Sequence, residues 1–324
     1  MDQRPGAAIE SVPDTEEFLN DVIAGLSATP RTLPCKYFYD QEGSRLFDAI
    51  GDLDEYYLTR TEIAILEAEI EDLARHVGEG SVLIEYGSGS SRKTRLLLDH
   101  LESPAAYVPI DISREHLLDA VVRLRRRYPS LRISPVVADY TAHFALPRDL
   151  PDARRVAFFP GSTIGNFAPE EARAFLARIA RTVRAGGGLL IGVDLKKDAG
   201  TLEAAYDDAS GVTAAFNRNV LVRMVHELDA ELDPDRFAHA ATWNEAEGRV
   251  EMHLVSEGRQ VVRVGGVDFR FEPGDRIWTE SSYKYTADGF ARLAAGAGFR
   301  VERVWTDPRQ RFSVQYLVAS PPLR

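Results

Sequence analysis

The chain has 324 residues, 44% of them hydrophobic and 27% charged, and a formal net charge of −11. That balance suits one or two ordinary globular domains, and the surplus of acid argues against a nucleic-acid backbone as partner. A single cysteine, Cys35, excludes a disulfide or a cysteine-based metal cluster within these residues, and the seven histidines lack ligand spacing, so no metal is expected.

Residues 1–13 are polar and are expected to fray. They lack the basic-then-apolar pattern of a secretory leader, and no apolar run reaches the ~18 residues of a membrane span. A cytoplasmic protein without a membrane partner is expected. A helix is expected over 16–27, with Phe18, Val22 and Leu26 on one side. An irregular aromatic stretch, 33–40, and a short helix over 43–50 carrying Leu46 and Phe47 follow. Thr59 and Glu62 stand at the spacing of a capping box. The helix beyond them repeats Ile63, Leu66, Ile70 and Leu73.

The next stretch organises the chain. Residues 82–84 read as a buried strand, Gly87-Ser88-Gly89-Ser90 as a tight turn, and 93–101 as a helix with Leu96, Leu97 and Leu101 on its apolar side. Glycines let a ligand approach bare backbone, and the helix start offers N–H groups. A dinucleotide fingerprint needs a third glycine where this chain has Arg92. That substitution argues against a nicotinamide-dependent dehydrogenase. It suits a ligand without a pyrophosphate, for which S-adenosylmethionine (SAM) is the obvious candidate. Any tight strand-to-helix turn could use the same residues.

A second strand, 108–111, ends at Asp111, 22 residues after Gly89. An acid at about that distance, at the end of the next strand, grips a ribose diol, since a carboxylate accepts from both hydroxyls. The same residue could instead cap the helix that follows. A third strand, 133–137, leads into Ala138-Asp139-Tyr140, where Asp139 could equally be a turn residue. A fourth, 155–159, leads into the loop 160–167 and a helix over 169–184. After a glycine turn at 185–188, a fifth strand, 189–193, ends at Asp194. Such alternation implies a parallel sheet wrapped by helices. Ligands bind at the carboxyl ends of its strands, where Gly87, Asp111, Asp139, Asn166 and Asp194 all fall.

Beyond Asp194 the pattern changes. A helix is expected over 201–222, then antiparallel strands at 238–244, 249–256, 260–264 and 267–272. A helix over 286–297 and strands at 299–306 and 312–319 close the chain. The expected division is a nucleotide-binding domain of 61–198 and 285–324, and an inserted α+β substrate-binding domain of 1–60 and 199–284.

Six separated segments share one resemblance: Lys36-Tyr37-Phe38-Tyr39-Asp40; 55–62; 84–90; Pro160-Gly161-Ser162-Thr163-Ile164-Gly165-Asn166; Ala205-Tyr206-Asp207-Asp208 with Ala215-Phe216-Asn217-Arg218-Asn219; and Thr279-Glu280-Ser281-Ser282. From about residue 16 onward the chain resembles the histidine-specific SAM-dependent methyltransferases of ergothioneine biosynthesis. The resemblance implies an α/β, Rossmann-like class I methyltransferase sheet with an inserted substrate domain. It implies an enzyme that trimethylates the α-amino nitrogen of L-histidine to hercynine and releases S-adenosyl-L-homocysteine; a monomer is expected. Gly87, Lys93, Asp111, Asp139 and Tyr140 would bind SAM, with Asp139 at the adenine amino group, and Tyr39 would lie near the transfer point. Tyr56 and Tyr206 would hold the substrate carboxylate, Asn166 the α-amino group, and Glu280 and Ser282 the imidazole, bordered by Met252. Taken alone, Tyr56 and Tyr206 read as core tyrosines, Glu280 as a solvated strand residue and Asn166 as a turn residue. The alternatives are the same reaction on tryptophan, which Glu280 and Ser282 disfavour because an indole has one donor, and a non-catalytic SAM-binding regulator.

Overall fold

A computed structural model describes residues 9–11, 14–89 and 91–321, with only the backbone of 9–11. What the sequence suggests for residues 1–8, 12 and 13, and for Ser90 in the glycine turn, lies outside them. In chain order the first elements are β1 (Ile9–Ser11), α1 (Thr15–Ser27), β2 (Arg31–Thr32), α2 (Gln41–Ile50) and α3 (Tyr57–Val77). Then come β3 (Val82–Tyr86), α4 (Arg92–Leu98), β4 (Ala106–Asp111), α5 (Arg114–Arg127), β5 (Val136–Ala138) and β6 (Arg155–Phe159). These are followed by α6 (Pro169–Val183), β7 (Gly188–Asp194), α7 (Ala199–Tyr206), α8 (Val212–Leu228), β8 (Phe237–Asn244) and β9 (Arg249–Ser256). The last are β10 (Gln260–Val264), β11 (Val267–Phe271), β12 (Arg276–Tyr283), α9 (Ala287–Gly296), β13 (Phe299–Thr306) and β14 (Phe312–Ala319).

The chain divides into two compact units. The first comprises Met1–Val12, Leu58–Lys196 and Lys284–Arg324; the second comprises Pro13–Tyr57 and Lys197–Tyr283. In the first, the described strands form one sheet in the order β1-β5-β4-β3-β6-β7-β14-β13. From β1 to β7 the neighbours are parallel; β14 runs antiparallel to β7 and β13 antiparallel to β14. Every residue of β3 and β7 is buried, as expected of strands covered on both faces. β3 lies between β4 and β6: the chain winds outward from β3 to β4 and β5 on one side, then crosses back to β6 and β7 on the other. That reversal is the switch point at which Rossmann-like sheets bind ligands.

The helices earn their places by periodicity. On α6, Ala172, Phe175, Leu176, Ile179 and Val183 form one buried stripe. Pro169 opens that helix and Glu171 accepts the Ala168 N–H at 2.9 Å, satisfying a donor that the first turn leaves over.

The second unit is built on a sheet in the order β2-β12-β9-β8, with a separate β10–β11 hairpin. β8, β9 and β12 are antiparallel, and β2 joins β12 in parallel. Helix α8 buries Phe216, Asn217, Val220, Leu221 and Met224.

Four expectations need correction. Residues 9–11 do not fray: they form β1, which pairs with Ala138 and its neighbours on β5 in the first unit. Thr59 and Glu62 make no capping box, because α3 starts at Tyr57 and both residues lie inside it. The helix expected over 201–222 is two helices, α7 and α8, broken at 207–211. The strand expected over 133–137 is reduced to β5, with Ile133 making only an isolated bridge to Tyr107.

Candidate functional site

The turn after β3 is shaped by backbone that side chains resist. Gly87 and Gly89 have φ of +74° and +45°. The N–H groups of Gly87 and Ser88 both donate to the Ile110 carbonyl, at 2.8 and 3.2 Å, which fastens the turn to β4. Asp111, at the end of β4, accepts from the Gly89 N–H and from the Ser113 N–H, each at 3.0 Å. It therefore orients both the glycine turn and the start of α5. Burial pushes its carboxyl above the ordinary carboxylate range, against those backbone donors. The Ile112 N–H also bonds it, and a carboxylate offers about four acceptor positions, so its capacity is not filled.

Asp139 accepts from the Thr141 N–H at 2.8 Å and the Thr141 hydroxyl at 2.5 Å, as a turn residue does. Next to it, the Tyr140 ring packs 5.8 Å from Phe175 and 5.9 Å from Phe159. A Cβ added at Gly87 would stand 3.7 Å from Tyr140 Cε1, so the bare glycine and the ring face each other. The Ser88 and Ser113 hydroxyls are buried with no hydrogen-bond partner among the described residues. A glycine turn, an aromatic ring facing it, an acid and two orphaned hydroxyls fit a nucleoside-bearing ligand.

Lys93, on the first turn of α4, donates to Glu62 at 2.5 Å. Glu62 is fully buried and also accepts the Gly161 N–H, at 2.8 and 3.1 Å. Gly161 opens the loop that ends, after one tight turn at Thr163–Asn166, in half-buried Asn166. Asp194, the fifth strand-end residue, belongs to the framework: it forms a fully buried ion pair with Lys284 at 2.9 Å.

In the second unit, Tyr206 ends α7 and its hydroxyl lies 2.7 Å from Ser282 Oγ on β12. The Tyr56 ring is 6.2 Å from Tyr206 and 6.5 Å from Phe47. Tyr39 lies 5.7 Å from Phe47 and 5.5 Å from Phe216. Glu280 is 9% exposed and pairs in register with Met252 of β9, itself buried. Glu280 is thus no solvated strand residue, and it shares a face of β12 with Ser282.

Two supports were given no role by the sequence, although Asn217 and Asn219 lie in a segment that carries the resemblance. His239 Nε2–H donates to the Tyr206 carbonyl at 2.8 Å, while its Nδ1 accepts from Asn217 at 2.9 Å. Burial holds this imidazole below its ordinary range, so it stays neutral. Asn219 donates to the Phe38 carbonyl at 3.2 Å and to Asp40 at 2.8 Å, fixing the segment that carries Tyr39. Among the described residues, no cluster of three His, Cys, Asp or Glu is placed to hold a metal, and no helix is long and apolar enough to cross a membrane.

A family model described as histidine-specific, SAM-dependent methyltransferase matches residues 18–319. A histidine N-alpha-methyltransferase of Mycobacterium tuberculosis is 44% identical over 91% of this chain and 92% of its own length. One from Mycolicibacterium smegmatis is 42% identical over 94% of this chain and 95% of its own length. Ergothioneine biosynthesis protein 1 of Neurospora crassa is 30% identical over 86% of this chain, which spans 32% of that longer protein.

Proposed function

Because the chain belongs to the histidine-specific, SAM-dependent methyltransferases, we propose that it methylates the α-amino nitrogen of L-histidine three times, giving hercynine for ergothioneine biosynthesis. The observation that carries this reading is Glu280: a buried acid on the same strand face as Ser282, whose hydroxyl meets that of Tyr206.

In this reading Asp111 holds the ribose hydroxyls of SAM, Tyr140 covers its base beside Asp139, and Lys93 meets the carboxylate of its methionine part. When bound, SAM supplies a methyl carbon on a sulfonium, open to in-line attack. The protein's share is placement, for which well-oriented reactants gain about 7–11 kcal/mol. Tyr56 and Tyr206 donate hydrogen bonds from neutral hydroxyls to the substrate carboxylate, which stays charged. Asn166 accepts from the α-amino group without carrying charge. A carboxylate at that position would favour the ammonium form and remove the lone pair. Glu280 accepts the imidazole N–H. An apolar side chain in its place would leave a buried acid without a donor, which sets the preference for histidine. As methyls replace hydrogens the product becomes a fixed cation, which the faces of Tyr39, Phe47 and Phe216 can stabilise.

Mass spectrometry of the protein incubated with SAM and histidine should register successive gains of one, two and three methyl groups. No gain on histidine, or an equal gain on tryptophan, would overturn the assignment. SAM binding with no product from either would leave a regulator.

A further inference from the structure

We propose that Glu62 is a positioning residue for the reaction: its one buried carboxylate aligns the Lys93 ammonium and, through Gly161, the loop that ends at Asn166. The inference rests on the reading of Lys93 as a SAM contact.

Glu62 is 0% exposed on α3. A carboxylate so buried is costly unless it is paired and hydrogen-bonded. It is both: Lys93 Nζ lies at 2.5 Å from one oxygen, and the Gly161 N–H reaches the two oxygens at 2.8 and 3.1 Å. Space for it is left by Gly192 on β7, where an added Cβ would come within 2.1 Å of Glu62 Oε1. A Cβ at Gly161 would in turn stand 3.5 Å from Lys93 Nζ. Four elements of the first unit therefore converge on one acid: α3, α4, β7 and the loop after β6.

The helix does not need the acid for itself, since Glu62 lies in the interior of α3. Its carboxylate is spent on two neighbours that matter to the reaction. Lys93 has a long stem with rotamer freedom to lose. The bond to Glu62 takes one of the three ammonium donors and points the charge before a ligand arrives, which is the gain of preorganisation. The same carboxylate fixes the first residue of the loop that carries Asn166. A purely structural ion pair would hold the core together without affecting one ligand more than another.

A double-mutant cycle separates these roles. Binding of S-adenosyl-L-homocysteine, followed by isothermal titration, should weaken about tenfold in Glu62→Gln and at least as much in Lys93→Met. In the Lys93→Met background, Glu62→Gln should cost less than about a further twofold. Full additivity of the two losses, or parental affinity in Glu62→Gln, overturns the inference. Parental affinity in Lys93→Met instead overturns the reading of Lys93 beneath it, a distinct result. Should Glu62→Gln fail to fold by circular dichroism, Gly192→Ala displaces the same carboxylate without removing its charge. It should weaken the same ligand, and unchanged affinity there would equally sink the proposal.

Discussion

Glu85 lies on β3, two residues before the glycine turn, buried with the Thr94 hydroxyl at 2.7 and 2.8 Å and the Tyr107 hydroxyl against it. Burial pushes its carboxyl from 4.5 up to about 8, against the hydrogen bonds from Tyr107 and Thr94. The folded chain therefore holds this proton more tightly than the unfolded chain. The stability Glu85 contributes is complete below its unfolded value of 4.5 and is lost as pH rises through about 8. Glu85→Gln keeps a neutral group of the same shape. Thermal melts from about pH 5 to about pH 8 should fall less steeply for that variant than for the parent, and parallel slopes would show that Glu85 does not titrate there. No sequence pattern announces such a residue, because the glutamate sits in an apolar strand where only the fold supplies its partners. The partners of Glu62 were hidden for the same reason: Lys93 and Gly161 come 31 and 99 residues later in the chain. The place of Asp111, at the end of β4 beside the glycine turn, was legible because its spacing from the glycines is itself the signal.

At the scale of elements, α8 shows how a helix end is made. Asp208 accepts the Val212 N–H at 3.0 Å and the Thr213 N–H at 2.7 Å, together with the Ser210 hydroxyl at 2.6 Å. Burial opposes ionisation there, but these donors outweigh it and hold the carboxyl well below the usual range. Its stabilisation is therefore present at neutral pH and is lost as pH falls through the depressed value. Gly211 is the N-cap, so Asp208 satisfies the first-turn N–H groups from outside the helix. Asp208→Ala should lower stability by about 1–2 kcal/mol, the scale of hydrogen bonds to a charged group, and a denaturant midpoint unchanged at pH 7 would contradict this. The break at 207–211 was missed because apolar periodicity continues on either side of it, although Asp208-Ala209-Ser210-Gly211 is turn chemistry. The capping box failed differently. Thr59-x-x-Glu62 is a local pattern, but α3 already starts at Tyr57, so Thr59 is not at a helix start and the Glu62 carboxylate is left for Lys93 and Gly161. Strands were easier: β13 and β14 have the bounds that their apolar runs suggest, and buried parallel strands stand out as short apolar segments. β1 is too short and too distant from β5 in sequence for any local signal.

Over the whole molecule, the residues proposed for SAM fall in the first unit, Tyr39 apart, and those proposed for histidine fall in the second, Asn166 apart. Titrations should respect that division. Glu280→Ala should weaken histidine by tenfold or more, the scale of a charged hydrogen bond of about 2 kcal/mol, and leave SAM affinity near parental. Asp111→Ala should do the reverse, and equal loss of both ligands in either variant would refute the partition. One topological detail bears on how such a chain is made. β14 sits between β7 and β13, yet it is translated after the whole of the second unit. Until residue 319 clears the ribosome, the buried edge of β7 has no neighbour to satisfy its amides, and an open apolar edge recruits whatever strand is nearest. Biosynthesis therefore passes through a window in which the nascent sheet is sticky, and nonsense mutations late in the reading frame would yield insoluble product rather than a shortened enzyme.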